Sequence, residues 1–215
     1  MKDIYILGVG CNTVVYIDLV ESCGYRVVGL YHYEEGRTGE IYFGHKIIGS
    51  NEELFSLDLS GKQFAISVGD NKIRSSLYNK ILYKGGVVPT IIHPSAIVSK
   101  YAQLGNGIVV HANSVVSPDV IIGDDSIVSS NDLITHGSRM GKHCFVASNV
   151  VLGANVHMCD YAFVGSGATI ISSKVSYIGR GAIVGAGAVV TKNVEADACV
   201  AGNPARCIAV SYTHL

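Results

Sequence analysis

The chain has 215 residues, 16 basic and 17 acidic side chains, and a formal net charge of −1. That balance excludes the basic surplus of a nucleic-acid binder, and no run of 18 apolar residues marks a membrane span. Charged residues make up only 15% of the chain while Gly reaches 25, which favours extended β structure over helical bundles.

The start, MKDIYILGVG, carries Asp3 and has no small-residue cleavage site after an apolar core. It reads as a first strand, not a signal peptide. Cys11, Cys23, Cys144, Cys159, Cys199 and Cys207 form no CxxC pair, which fits reduced thiols in the cytoplasm and no metal site.

Residues 1–91 alternate strand and helix patterns. DIYILG is a short β run ending in glycine, and NTVVYIDLVESCGY is a two-faced helix. YRVVGLY is the next strand. EEGRTGEIYFG matches no pattern and is expected to be a mobile loop near a substrate. KIIGS is extended, and NEELFSLDL opens with Asn51 as N-cap. QFAISVGD is a third strand and NKIRSSLYNKILYKG a third helix. Strands alternating with helices predict a parallel α/β sheet.

From Ile92 onward the period becomes six. Fourteen successive positions from 92 to 170 hold only Ile, Val, Leu or Met. Gly often follows, as at Gly105, Gly123, Gly141, Gly153 and Gly165. Small residues recur four places on, among them Ala96, Ser114, Ser126, Ser138, Cys144, Ala162 and Ala168. After an eight-residue step the phase restarts at Ile178, Val184 and Val190. Neither a helix nor a simple strand has this period. It is the mark of a β-solenoid, in which the aliphatic residue points inward and each coil is stabilised by its neighbours. The chain therefore divides into an α/β unit, 1–91, and a solenoid unit, 92–215. The last residues, SYTHL, carry no pattern.

The hexapeptide run ending in AGNPAR resembles the left-handed β-helix acyltransferases. Together with ILGVG, SVGDNKIR and IIHPSAIVS, it resembles the PglD/NeuD group of bacterial sugar acetyltransferases over nearly the whole chain. The resemblance implies a left-handed parallel β-helix behind a Rossmann-like unit, and a homotrimer with sites between prisms. It also implies acetyl-CoA as co-substrate and a nucleotide-linked sugar of a surface glycan as acceptor. The group's catalytic histidine lies in a segment like V-x-H-(D/E)-C-x-I-G. The matching run here is ITHGSRMG, which places it at His136. Acyl transfer to an amine or hydroxyl needs a proton acceptor, and imidazole titrates near neutrality. His143 is the second candidate. His111 and His157 read as surface residues.

The chain departs from the group's pattern where Gly137 replaces the acid that follows the histidine. Asp132, or a carboxylate of an adjacent subunit, is the expected substitute. In the front unit GVGCNT offers Gly8 and Gly10 but has Thr13 in place of a final glycine, a weak dinucleotide fingerprint. The resemblance puts the nucleotide part of the sugar substrate here, at Gly8, Gly10, Cys11 and Asn12. Tyr31 and His32, where relatives carry Asp, and Gly69, Asp70 and Asn71 complete the expected pocket. Asp70 also reads as a helix cap. For acetyl-CoA the resemblance points to Phe145, Ala154, Ser166 and Ala186 along one groove past His136, with GNPAR by the adenine end. Two other readings compete. A non-catalytic sugar-nucleotide-binding or regulatory protein would account for Gly137, Thr13 and Tyr31. A γ-type carbonic anhydrase needs three metal-ligating histidines, and His136 and His143 lack the close spacing.

Overall fold

The computed structural model describes residues 2–210; the ending SYTHL lies outside them. The chain forms two compact units, Met1–Pro94 and Ser95–Leu215. None of the described helices is long and apolar enough to cross a membrane.

The first unit contains β1 (Lys2–Leu7), α1 (Thr13–Ser22), β2 (Tyr25–His32), β3 (Ile41–Tyr42), β4 (His45–Ser50), α2 (Asn51–Ser56), β5 (Phe64–Ile66) and α3 (Asn71–Tyr83). The sheet runs β3-β4-β2-β1-β5. Its β4–β2–β1–β5 part is parallel, and only β3 is antiparallel to its neighbour. Leu7, Leu30, Leu54, Phe64 and Ile81 are at most 1% exposed, which anchors the helices to the sheet.

Two local expectations change. The cap of α2 is Ser50, not Asn51: the Glu53 N–H donates to Ser50 Oγ, and the Ser50 N–H donates to the Glu53 carboxylate at 2.7 Å. Reciprocal satisfaction of two donors outweighs the single bond Asn51 could make. Residues 34–44, expected as a mobile loop, fold instead. They form a 3-10 turn, Glu35–Arg37, and the β3–β4 hairpin. Backbone bonds from Gly39 N to Ile47 O (2.8 Å) and from Ile47 N to Glu40 O (2.9 Å) hold the stretch in place.

The second unit is a three-sided parallel β-helix. One face stacks Ile97–Val98, Val115–Val116, Leu133–Ile134, Val151–Leu152, Thr169–Ile170 and Val189–Val190. The second face runs from Gln103–Leu104 to Tyr177–Ile178, and the third carries Val109–Val110, Ile127–Val128, Phe145–Val146, Phe163–Val164 and Ile183–Val184. The register is Leu133↔Val151 and Arg139↔His157, one coil per 18 residues. After Ile170 it becomes Phe163↔Ile183, because the eight-residue step adds two residues to that coil. The second residue of each doublet points inward. Val116, Ile122, Val128, Ile134, Met140, Val146, Leu152 and Met158 are all at most 2% exposed. Glycines let the coils close on one another: a Cβ at Gly153 would lie 2.4 Å from the Ile170 carbonyl oxygen. The hairpin Ala198–Ala201 with Arg206–Val210 closes the stack, and AGNPAR supplies its turn.

Candidate active site

His136 stands in the corner between Leu133–Ile134 and Arg139–Met140, with its side chain exposed. The backbone around it is fixed. Thr135 N donates to Leu152 O at 3.0 Å and Asn155 N donates to the His136 carbonyl at 3.1 Å. Just beyond, Ser138 Oγ donates to Gly153 O at 2.7 Å and accepts from Val156 N at 3.2 Å. A rigid corner thus presents an imidazole with no side-chain partner among the described residues. The eighteen-residue register stacks Pro118, His136 and Ala154 in this corner, so only compact side chains flank the ring. Gly137 suits its place: its φ is +69°, and a Cβ would lie 2.2 Å from Asn155 Oδ1, although Asp119 and Asn155 hold the same left-handed corner position one coil before and one coil after. The imidazole is thus placed to take a proton from a group approaching the corner.

In a parallel sheet the ligand crevice lies at the carboxyl ends of the strands, which in the first unit are those of β1 and β2. Gly8, at φ +91°, packs against the loop after β5, with a virtual Cβ only 2.7 Å from Val68 Cγ2. Thr13 is fully buried. Its hydroxyl accepts from Gly10 N at 2.8 Å, donates to Gly8 O at 2.9 Å and sits 3.1 Å from Ser67 Oγ. It knits the loop shut where a glycine fingerprint would leave the N–H free. Two residues from the folded 34–44 stretch reach the same loop. Tyr42 OH donates to Gly10 O at 3.0 Å, and Arg37 Nη1 lies 3.5 Å from Val9 O.

A family model described as the PglD N-terminal domain matches residues 3–81. The structure is similar to a mutant GDP-perosamine N-acetyl transferase from Caulobacter crescentus in complex with CoA and GDP-perosamine. The TM-score is 0.90 and the identity 30%, over 97% of this chain and 98% of that one. The chain belongs to the PglD-like family of sugar N-acetyltransferases. The acetyltransferase domain of PglB from Neisseria gonorrhoeae FA1090 is 26% identical, with TM-score 0.87 over 97% of this chain and 100% of that one. The same domain in complex with acetyl coenzyme A gives 0.65 at 26%, over 96% and 99%. No curated protein sequence matches the chain. The α/β unit followed by a left-handed parallel β-helix is the fold of this PglD-like group, and the chain is an acyltransferase.

Several expected site residues of this PglD-like acyltransferase fall elsewhere. Tyr31 is 9% exposed and packs in the core with Leu54, Phe64 and Leu77, so its ring does not line the crevice. Successive strand residues alternate faces, so His32 takes the opposite side of the strand from Tyr31. Asp70 caps α3, its Oδ1 accepting from Lys72 N and Ile73 N at 2.9 and 2.8 Å. Gly69 and Asn71 flank it, half-buried, while Cys11 and Asn12 are exposed at the start of α1. A cavity of about 930 Å³ between α2 and α3, lined by Tyr33, Phe55, Leu77, Lys80 and Tyr83, contains none of the expected pocket residues.

In the prism, the four acetyl-CoA positions do not share one groove of a single chain. Ala154 stacks on His136, but Ser166 and Ala186 stack on each other in the preceding corner, and Phe145 lies on the third face, edge-on to Phe163 at 5.5 Å. Asp132 cannot orient His136. It is 1% exposed, its Oδ1 accepts from Val150 N at 2.8 Å, and burial pushes its carboxyl up to about 8. It sits in the corner before strand Leu133–Ile134, His136 in the corner after it.

His143 is no free base: it is 7% exposed, its Nδ1 is 2.8 Å from Asp125 Oδ2, and its ring stacks on Tyr161 at 4.9 Å. His111, read as a surface residue, is also buried at 7%. His157 is exposed, as expected. Arg37, Tyr42 and the loop-closing Thr13 hydroxyl were missed as crevice residues. Arg37 follows His32 by only five residues, but nothing in EEGRTGEIYFG signals the hairpin that turns it back.

Proposed function

We propose that this acyltransferase moves acetyl from acetyl-CoA to an amino or hydroxyl group of a nucleotide-linked sugar, with His136 as general base. The observation that carries the proposal is the exposed, unpartnered His136 imidazole on a corner whose backbone is pinned by the coil beyond. The acceptor's nitrogen or oxygen attacks the thioester carbonyl carbon and its proton passes to Nε2 or Nδ1 of His136. Collapse of the tetrahedral intermediate breaks the C–S bond, and the thiolate leaves as CoA, taking up a proton. The nucleotide half of the acceptor is held in the crevice of the first unit. The GDP-perosamine and CoA bound to the Caulobacter relative, and the acetyl coenzyme A bound to the Neisseria domain, support both substrate classes.

The assembly we propose is a homotrimer. On one prism face the outward residues Ile97, Leu133 and Val151 are 66%, 37% and 38% exposed. An apolar stripe of that kind is the mark of an interface in a soluble protein. The test is release of CoA thiol from acetyl-CoA in the presence of GDP-perosamine or UDP-linked amino sugars. His136→Ala is expected to lower kcat about 10²–10⁴-fold, the worth of positioned proton transfer. Its affinity for CoA, measured by calorimetry, should be unchanged. Wild-type kcat in this variant would rule out His136 as the base.

A further inference from the structure

His32 closes β2, and it is 3% exposed. The backbone N–H of Glu34 donates to its Nδ1 at 3.0 Å. A neutral imidazole carries one ring proton, so with Nδ1 accepting, that proton is on Nε2. The polar atom facing Nε2 is Arg37 Nη1, at 3.5 Å. A guanidinium has donors and no acceptor. Two N–H groups therefore point into one space, and neither can satisfy the other. Among the described residues Nε2 meets no acceptor, and leaving a buried donor so is unfavourable.

The arrangement is built. Arg37 Nε and Nη2 both grip Glu40 Oε2 at 2.8 Å, which turns Nη1 inward. Nη1 also lies 3.5 Å from Val9 O, and Tyr42 OH ties the hairpin to Gly10 O, so the pair stands on the glycine loop. The Arg37 side chain remains 28% exposed, which leaves its outer edge open to a ligand.

We propose that His32 and Arg37 form a donor clamp for an unprotonated oxygen on the nucleotide half of the substrate, and that the clamp rejects ligands presenting an N–H or O–H there. The inference rests on the reading that this unit binds a nucleotide-linked sugar. The oxygen has two possible sources, a phosphate or a base carbonyl, and both are acceptors of the same kind. A charged donor paired with a phosphate gives the stronger bond, and a carbonyl gives the more selective one.

The experiment is calorimetric titration of the full chain with GDP, UDP, CDP and dTDP, followed by the tightest of them on His32→Gln and His32→Glu. The two replacements have the same shape, but Gln offers a donor where Glu offers only acceptors. His32→Gln is expected to bind within about threefold of wild type, and His32→Glu at least tenfold more weakly. Arg37→Met, on the exposed stretch outside the core, is expected to weaken binding at least tenfold as well. Inorganic pyrophosphate and the matching nucleoside are then titrated separately. Whichever of them is sensitive to His32→Glu identifies the source of the oxygen. Equal affinity of the Gln and Glu variants, or undiminished affinity in Arg37→Met, overturns the clamp alone. A wild-type chain that binds none of the four nucleotides overturns the clamp together with the reading beneath it.

Discussion

Replacing Asp132 with Ser should stabilise the prism increasingly as pH rises. The same hexad position carries Ser114, Ser126 and Ser138, and each hydroxyl makes a pair of bonds. It accepts the N–H eighteen residues on, at 3.1, 3.1 and 3.2 Å from Asp132, Cys144 and Val156. It donates to the carbonyl fifteen residues on, at Ser129, Gly141 and Gly153. Asp132 makes the first bond, to Val150 N, but its Oδ2 is buried with no partner.

Burial raises the carboxyl to about 8 from an ordinary value of 3.8, so the folded chain keeps a proton that the unfolded chain has lost. Between those two values stability falls with rising pH, by at most about 1.4 kcal/mol per unit, and the loss is complete above about pH 8. From pH 5 to pH 8 the ceiling is about 4 kcal/mol, or roughly 8–16 °C in Tm for a chain of this size. Asp132→Ser removes the linkage and puts at this position the hydroxyl that Ser114, Ser126 and Ser138 use. Melting curves of wild type and variant, followed by circular dichroism at several pH values, should diverge as pH rises. Parallel curves would show that Asp132 is not held protonated, and the reasoning would fail.

Thr13→Val keeps the shape at β1's end but removes the hydroxyl that accepts from Gly10 N, so nucleotide affinity should fall; the lost bond is worth about 1 kcal/mol, read by calorimetry with GDP or UDP. Gly153→Ala forces a Cβ to 2.4 Å from Ile170 O, between two coils, and should destabilise by more than about 1 kcal/mol in urea unfolding, with no change expected if the coils could spread freely. Asp125→Ala leaves His143 without its carboxylate in a site that is 7% exposed and should cost about 3 kcal/mol or more in urea unfolding; a change under about 1 kcal/mol would show that the contact does not hold the column together.

The two-part architecture is legible in the amino-acid sequence, because each signal is a local demand repeated along the chain. Every face of every coil must put an aliphatic residue into the prism, so Ile134, Met140, Val146 and Leu152 recur at six, and the eight-residue step to Ile178 appears directly as a change in register. The exposed corner position of His136 was legible for the same reason: that corner is defined by its distance from Ile134.

The tertiary structure decided which polar residues face solvent. A period of six marks inward aliphatic positions but leaves each corner residue undetermined. Asp125, His143 and Tyr161 share one left-handed corner position, with φ of 54°, 58° and 61°, and become partners only when coils eighteen residues apart stack. The burial of His143 is a property of that column, not of its neighbours in sequence. Asp132 is only four positions before His136, yet an intervening strand puts them in different corners and turns the carboxyl into the coil. In the first unit, Arg37 meets His32 and the glycine loop only because the β3–β4 hairpin folds back over the ends of β1 and β2. The direction in which such a hairpin closes depends on contacts with Val9 and Gly10, more than two dozen residues earlier in the chain.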